Sequence, residues 1–241
     1  MLVVAYDGTN YCGWQVQING ITVEQVINES LSKLLNEDIQ VIGASRTDSG
    51  VHALGNVCVF DTESRIPGDK MCFALNNYLP NDIRIQYSKE VDDDFHPRYR
   101  DSIKTYEYTI LNRRFDVPTQ RLYSYFMYMP LDVEKMKEAS KYLVGKHDFK
   151  SFCSARTQVK DTVREVTDIE LYKEGDLIKM RISGYGFLYN MVRIIMGTLI
   201  KVGLGIYPPE HVKEILEGKD RNLAGPKAPA RGLCLIDIKY L

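Results

Sequence analysis

This sequence has no Cys-x-x-Cys pair. Its five cysteines (Cys12, Cys58, Cys72, Cys153 and Cys234) are odd in number and scattered. That argues against a disulfide framework and against a zinc site. Cys58 and Cys234 lie in apolar, strand-like runs and are expected in the core. An excess of one charge is also missing: 31 basic residues stand against 32 acidic ones, for a net charge of −1. Bulk charge gives no argument for nucleic acid, so an RNA surface would have to come from local segregation of charge. Long apolar runs are absent as well. The longest mainly apolar stretch, Met191 to Ile200, contains Arg193 and is too short to span a bilayer. The first residues, Met-Leu-Val-Val-Ala-Tyr-Asp-Gly, enter a strand pattern at once, without the basic region, apolar core and cleavage site of a secretory signal. A cytoplasmic protein with no membrane segment is expected. His52, His96 and His147 have no second ligand-type residue at metal-binding spacing, so no metal is expected and hydrogen bonding is their expected role.

What remains is an ordinary globular composition, 44% hydrophobic and 26% charged over 241 residues, enough for one large domain or two packed halves. Thr22 with Gln25 three residues on forms a capping-box pattern. Val23, Val26, Ile27, Leu31, Leu34 and Leu35 follow at helical spacing. A shorter helix is predicted around Asp69 to Tyr78 and a strand from Ile83 to Tyr87. Residues 91 to 103, charged and broken by Pro97, read as a connector, which gives halves of 1–98 and 99–241. The second half opens with a strand from Thr105 to Leu111. A helix capped by Asp132 and ending at Gly145 follows. Next come a hairpin of Val163–Tyr172 and Leu177–Ser183, and a helix from about Leu188 to Lys201. A short helix from Pro209 to Glu217 has Gly218 just past its end, and the last strand runs from Leu233 to Tyr240. Strands mixed with helices in both halves predict an α+β fold with a mainly antiparallel sheet and segregated helices.

The most informative run is Gly43-Ala44-Ser45-Arg46-Thr47-Asp48-Ser49-Gly50-Val51-His52-Ala53. It places a carboxylate on a Gly-flanked loop between two β-branched segments, Ile39–Ile42 and Val57–Phe60, where functional residues are often held. Arg46, two residues from Asp48, is positioned to keep a half-buried carboxylate ionised. On spacing alone, a plain turn with the Asp side chain on nearby amides is the commoner reading.

The run resembles the signature of the TruA family of tRNA pseudouridine synthases, Gly-Arg-Thr-Asp-x-Gly-Val-His-Ala, with Ser45 where the family has Gly. Six further motifs carry the resemblance along the chain. Tyr6-Asp7-Gly8-Thr9-Asn10-Tyr11-Cys12-Gly13-Trp14-Gln15-Val16-Gln17 is similar to the family's N-terminal motif. Phe95-His96-Pro97-Arg98 resembles Phe-His-Ala-Arg, with Pro for Ala. Lys104-Thr105-Tyr106-Glu107-Tyr108 resembles its Lys-x-Tyr-x-Tyr strand, and Gly145-Lys146-His147-Asp148-Phe149 its Gly-x-His-Asp-Phe. Phe187-Leu188-Tyr189-Asn190-Met191-Val192-Arg193 and Ala228-Pro229-Ala230-Arg231-Gly232-Leu233 resemble two C-terminal motifs.

The resemblance implies two ferredoxin-like (RRM-like) halves with a joined, mainly antiparallel central sheet, helices on one side and a cleft between the halves. It implies a cofactor-free enzyme that isomerises uridine to pseudouridine in tRNA, around positions 38–40 of the anticodon arm, by base flipping, as a homodimer and with no metal. Asp48 matches the catalytic aspartate. Tyr106 matches the active-site tyrosine that stacks on the flipped base. Arg193 matches the basic partner of the aspartate, and an Arg in so apolar a helix is expected to have a buried carboxylate partner. Arg46 joins these as a substrate-binding residue. From clustering of charge, Arg98, Lys104, Arg113 and Arg114 are candidates for the RNA backbone, with Lys146, Lys150, Arg156, Lys160 and Arg164 a looser group. On residues alone, core packing is the commoner reading of Tyr106, because Tyr106, Tyr108 and Ile110 share one strand face. Two rivals belong to other classes. A non-catalytic RNA-binding module would have no need of Asp48, Arg46 and Arg193 together. A nucleosidase would want two carboxylates, for which Asp7 is the one candidate beside Asp48.

Overall fold

The structure, a computed structural model, describes residues 1–154, 159 and 161–241. Arg156 and Lys160 of the looser basic group lie outside the described residues. Along the first part of the chain run β1 (Leu2–Tyr6), α1 (Val23–Leu35), β2 (Ile42–Gly43), β3 (His52–Val59), α2 (Met71–Leu75) and β4 (Ile83–Ser88). Then follow β5 (Ser102–Asn112), β6 (Tyr125–Met127), α3 (Val133–Ser140), β7 (Gly145–Asp148), β8 (Val163–Glu174) and β9 (Leu177–Gly184). Helices α4 (Met191–Gly203) and α5 (His211–Gly218) precede the last strand, β10 (Leu233–Tyr240). The fold class is α+β. The chain divides into two compact units, Met1–Ser102 with Cys234–Leu241, and Ile103–Leu233.

In the first unit the elements follow the order β-α-β-β-α-β. Its strands lie β4-β1-β3, with β2 on β3, which is the ferredoxin-like arrangement. β1 pairs antiparallel with both β3 (Leu2 opposite Cys58) and β4 (Leu2 opposite Ser88), while β10 adds to β3 in parallel, Cys234 opposite His52. Val23, Ile27 and Leu31 are the fully buried stripe of α1, four residues apart as a one-faced helix requires. Its start is capped by Thr22 Oγ1, which accepts from the Gln25 amide at 3.3 Å, and Asn36 ends it in the left-handed conformation, φ 57°.

The second unit repeats the pattern as β5, α3, β8, β9, α4, with β9 between β5 and β8. The β8–β9 hairpin closes over Gly175, φ 58°, with Glu174 opposite Leu177. β6 lies parallel to β5, and β7 antiparallel to β8. Asp132 caps α3 through the Lys135 amide at 3.1 Å. Every residue of α4 but Lys201 is buried, as expected of a helix apolar on all sides.

Several boundaries differ from the sequence expectation. β3 begins at His52, five residues before the β-branched run, because pairing with β1 and β10 extends the ladder through polar positions. The Ile39–Ile42 run contributes only the two residues of β2. Of the Asp69–Tyr78 helix, the α-helical part is Met71–Leu75. α3 ends at Ser140, and a 3-10 turn, Lys141–Leu143, carries the chain to Gly145. Gly218 is the last residue of α5, and Lys219 takes the left-handed turn instead, φ 48°.

Candidate active site

Asp48 lies on the stretch between β2 and β3, and buried polar groups tie that stretch at several points. The Ala44 amide donates to the Val57 carbonyl at 2.8 Å. Asn56, wholly buried, spends its side chain on three partners: Nδ2 donates to the Ser45 carbonyl (3.1 Å) and to Tyr6 Oη (3.4 Å), and Oδ1 accepts from the Val57 amide (2.9 Å). Tyr6 Oη also lies 2.7 Å from Thr47 Oγ1. Ser45, in the place of the family's Gly, is buried and leaves this network whole. The loop then tightens into a β-turn, the Val51 amide donating to the Asp48 carbonyl at 3.1 Å across Gly50, φ 76°. A turn is therefore present, as spacing alone predicts. The half-buried Asp48 sits at its first corner, between buried Thr47 and exposed Ser49.

The N-terminal motif is the clamp on this turn. Gly50 N and Ser49 Oγ both donate to the Tyr11 carbonyl at 3.3 Å, and Trp14 N donates to the Thr47 carbonyl at 3.1 Å. A Cβ at Gly8 would lie 2.0 Å from the Val51 carbonyl oxygen, and at Gly13, φ 86°, 2.6 Å from that of Thr47. The glycines of Tyr-Asp-Gly-Thr and Cys-Gly-Trp are there because backbone meets backbone. Trp14 is core, completely buried 5.9 Å from the Tyr6 ring, and its Nε1 faces Gly43 without a hydrogen-bond partner among the described residues. Burial and the 2.7 Å bond to Asp82 push the Tyr11 phenol far above its usual range.

Asp7 is occupied with local structure. Its Oδ1 accepts from both the amide (3.0 Å) and hydroxyl (2.6 Å) of Thr9, and it lies 3.1 Å from His52 Nδ1. The Gly8 amide reaches the same Nδ1 at 3.1 Å. With a bare Nδ1 the ring accepts from Gly8, and with an Nδ1–H it donates to Asp7. His52 thus has the hydrogen-bonding role expected of it. So do His96, whose Nδ1 accepts from the Arg98 amide at 3.2 Å, and His147, with Nε2 2.9 Å from the Val144 carbonyl.

Arg46 projects from the same loop and is exposed. Arg98 reaches back to it, Nη2 donating to the Gly43 carbonyl at 3.0 Å. Burial, and next the charge of Arg46, lower the Arg98 pKa, as expected of two guanidiniums near each other.

Tyr106 and Arg193 belong to the second unit. Tyr106, 7% exposed, sits on β5 opposite Ile182 and meets the Phe187 ring edge-on, centroids 5.3 Å apart. The sequence reading assigned Phe187 no task. Arg193, on the first turn of α4 and 8% exposed, donates from Nε to the Ala228 carbonyl at 2.8 Å and from Nη1 to Asn190 Oδ1 at 3.1 Å. Asn190 adopts φ 61° just before the helix, and its Nδ2 donates to Ser154 Oγ at 2.7 Å. The two C-terminal motifs are thereby laced together around one guanidinium. Tyr108 Oη donates to the Pro229 carbonyl at 2.8 Å, and burial drives its pKa far upward. The candidate RNA contacts differ from one another. Lys104 is half-buried on β5 opposite Gly184. Exposed Arg113 pairs with Asp176 at 3.1 Å, while Arg114 lies over the Phe115 ring at 5.1 Å. No group of three or more metal-ligating side chains occurs among the described residues, nor any helix long and apolar enough to cross a membrane.

Comparison with known proteins decides the family. Residues 2–100 and 139–241 match the family described as tRNA pseudouridine synthase. The chain belongs to the tRNA pseudouridine synthase family. Curated relatives align along its length. A protein of Thermoanaerobacter sp. (strain X514) named tRNA pseudouridine synthase A is 49% identical over 240 residues, covering 100% of this chain and 98% of its own. One of Clostridium perfringens (strain 13 / Type A), tRNA pseudouridine synthase A 2, is 50% identical over 239 residues, 99% and 98% of the two chains. One of Ruminiclostridium cellulolyticum, again tRNA pseudouridine synthase A, is 50% identical over 240 residues with the same coverage. Among solved structures, a chain of a Cbf5-Nop10-Gar1 complex overlaps 83% of this chain and 45% of its own at a TM-score of 0.39 and 14% identity, too loosely to carry an argument. As a tRNA pseudouridine synthase family member, the chain is matched over almost all of its first unit and over the second from residue 139 on, residues 101–138 lying outside the match.

Proposed function

We propose that this protein isomerises uridine to pseudouridine in tRNA, with Asp48 as the catalytic carboxylate and the substrate uridine around positions 38–40 of the anticodon arm. The reaction breaks the bond between ribose C1′ and uracil N1 and forms one from C1′ to C5. The C5 proton leaves and N1 gains one, with no net redox change, so neither oxidant nor energy source is required. One carboxylate suffices, as nucleophile toward ribose or base, or as base toward the ribose. The observation that carries the reading is the clamp on Asp48. A turn held by buried Asn56, Tyr6 and Thr47 and by the backbone of Tyr11 and Trp14 keeps a half-buried acid in one place, as preorganised catalysis needs. Asp7, used up in capping Thr9, is a poor second carboxylate, which counts against a nucleosidase.

In this reading the half spanning 1–98 supplies Asp48, with Arg46 beside it for the phosphate of the extruded nucleotide. The half spanning 99–241 supplies Tyr106 for stacking on the flipped base and Arg193 for the carboxylate. Arg98, Lys104, Arg113 and Arg114 take the RNA backbone, a homodimer grips one tRNA, and the enzyme works in the cytoplasm without cofactor. The test is pseudouridine mapping in tRNA incubated with purified protein. Wild type converts one or more anticodon-arm uridines, and Asp48→Asn converts none while binding tRNA with a Kd within about threefold of wild type. Turnover by Asp48→Asn would end the assignment.

A further inference from the structure

Residues 15–21, Gln-Val-Gln-Ile-Asn-Gly-Ile, contain no charge in a chain that is 26% charged. They nonetheless project into solvent. Ile18 is fully exposed, Ile21 is 59% exposed and Val16 49%. Single apolar side chains on a surface need no explanation, but three on one short loop mark a contact surface.

The loop is not slack. The Cys12 amide donates to the Ile21 carbonyl at 2.8 Å, closing its base, and Gln17 Nε2 donates to the Cys12 carbonyl from inside. The Val16 amide donates to Glu24 Oε2 at 2.8 Å. Gly20 backs onto Cys12 Sγ, which would lie 2.5 Å from an added Cβ. Solvent exposure of a tethered apolar tip has no stabilising effect on the protein alone.

Its position gives the tip a partner. The base of the loop is the segment that clamps Asp48: Trp14 N on the Thr47 carbonyl, Gly50 N on the Tyr11 carbonyl, and Gly13 packed without room for a Cβ on the Thr47–Ser49 backbone. Four residues of chain, at most about 14 Å, separate Trp14 from Ile18. The tip is thereby tied to the segment that clamps Asp48, within reach of a polymer that brings a nucleotide there. Taking a base out of its stack costs a few kcal/mol, and proteins that part base steps use apolar wedges, Ile among them, to cover the faces left behind.

We propose that Ile18 is a positioning residue that enters the RNA stack beside the extruded uridine and covers the base face this exposes. The inference rests on the function proposed above for Asp48.

The test compares Ile18→Ala, Ile18→Asp and Ile18→Leu with wild type in single-turnover conversion of tRNA at saturating protein. Because the side chain is fully exposed, urea midpoints should coincide. Ala and Asp should slow the single-turnover rate about tenfold or more, and Leu should stay within about twofold. With 2-aminopurine beside the uridine that wild type converts, mixing with Asp48→Asn should raise fluorescence without chemistry, and the Asp48→Asn/Ile18→Ala double variant should not. Wild-type rates in Ile18→Ala, a defect confined to tRNA Kd, or a changed oligomeric state in Ile18→Asp would each overturn the wedge. If wild type forms no pseudouridine at all, the function assigned to Asp48 fails first, and that result is distinct from any of these.

Discussion

Arg193 and Ala228 bind each other twice: the Arg193 Nε donates to the Ala228 carbonyl at 2.8 Å, and the Ala228 amide donates to the Arg193 carbonyl at 3.0 Å. A helix start and a loop 35 residues further on are thereby fastened through one buried cation, whatever else that cation does.

Replacing Arg193 should be felt as stability before it is felt as chemistry. Arg193→Ala leaves the Ala228 carbonyl and the Asn190 side chain without a buried donor, at about 1–3 kcal/mol each, so a loss of about 3 kcal/mol is expected in urea unfolding. Arg193→Lys keeps the charge but lacks the planar fork that serves Nε and Nη1 acceptors together, and should lose about 1–2 kcal/mol. An unchanged midpoint in both variants would contradict this geometry.

Gly13→Ala should disable the Asp48 turn. The residue sits at φ 86°, and its new Cβ would meet the Thr47 carbonyl oxygen at 2.6 Å. Strain of this kind costs about 1–3 kcal/mol, and here it is relieved by displacing Thr47 and Asp48 themselves. Gly205→Ala, at φ 71° with nothing within 4 Å, is the control. Both should lower the melting temperature, but only Gly13→Ala should reduce single-turnover conversion of tRNA.

Burial pushes the Cys58 thiol up to about 12, so the folded state prefers the protonated form. Below the ordinary thiol range both folded and unfolded chains are protonated and the contribution is complete. As pH rises past that range the unfolded chain ionises first, and stability declines until about 12. The decline should be shallower in Cys58→Ala by at most about 1.4 kcal/mol per pH unit. Thiol reagents should reach the half-exposed Cys12 and Cys234 in the native protein, and Cys58 only on unfolding.

The two neighbouring arginines should separate in tRNA binding. Arg113 is engaged by Asp176 at 3.1 Å, whereas Arg114 rests on Phe115. Arg114→Gln should lower the slope of log K against log salt by about one, and Arg113→Gln by clearly less. Equal slopes would show that the ion pair does not keep Arg113 from phosphate.

The strands and helices were largely legible in the sequence. Thr22 and Asp132 cap the helices they were expected to cap, and Leu233–Tyr240 is a strand at both ends as predicted, because period and capping chemistry are local. The boundaries that moved did so through distant pairing. Nothing near Ala53 or Leu54 signals a strand, yet β1 and β10 draw the ladder to His52. In the candidate site, Asp48, Tyr106 and Arg193 stood out through motifs. Asn56 did not, since a lone Asn in an apolar run has the same local signature whether it is buried or exposed. Phe187 was likewise visible as a motif letter without a task.

By itself, then, the order of residues determined the elements, their caps and the family, all of which depend on neighbours a few positions apart or on motif letters in sequence. Only the tertiary structure decided that the N-terminal glycines serve the Asp48 turn, that Asn56 holds Ser45 and Tyr6 at once, and that Arg193 closes on Ala228. It also placed Cys234–Leu241 with the first hundred residues. Those outcomes depend on which groups come within a hydrogen bond of each other at a distance in sequence, 11 residues for Asn56 and Ser45, 35 for Arg193 and Ala228 and 50 for Asn56 and Tyr6, and no local propensity encodes that.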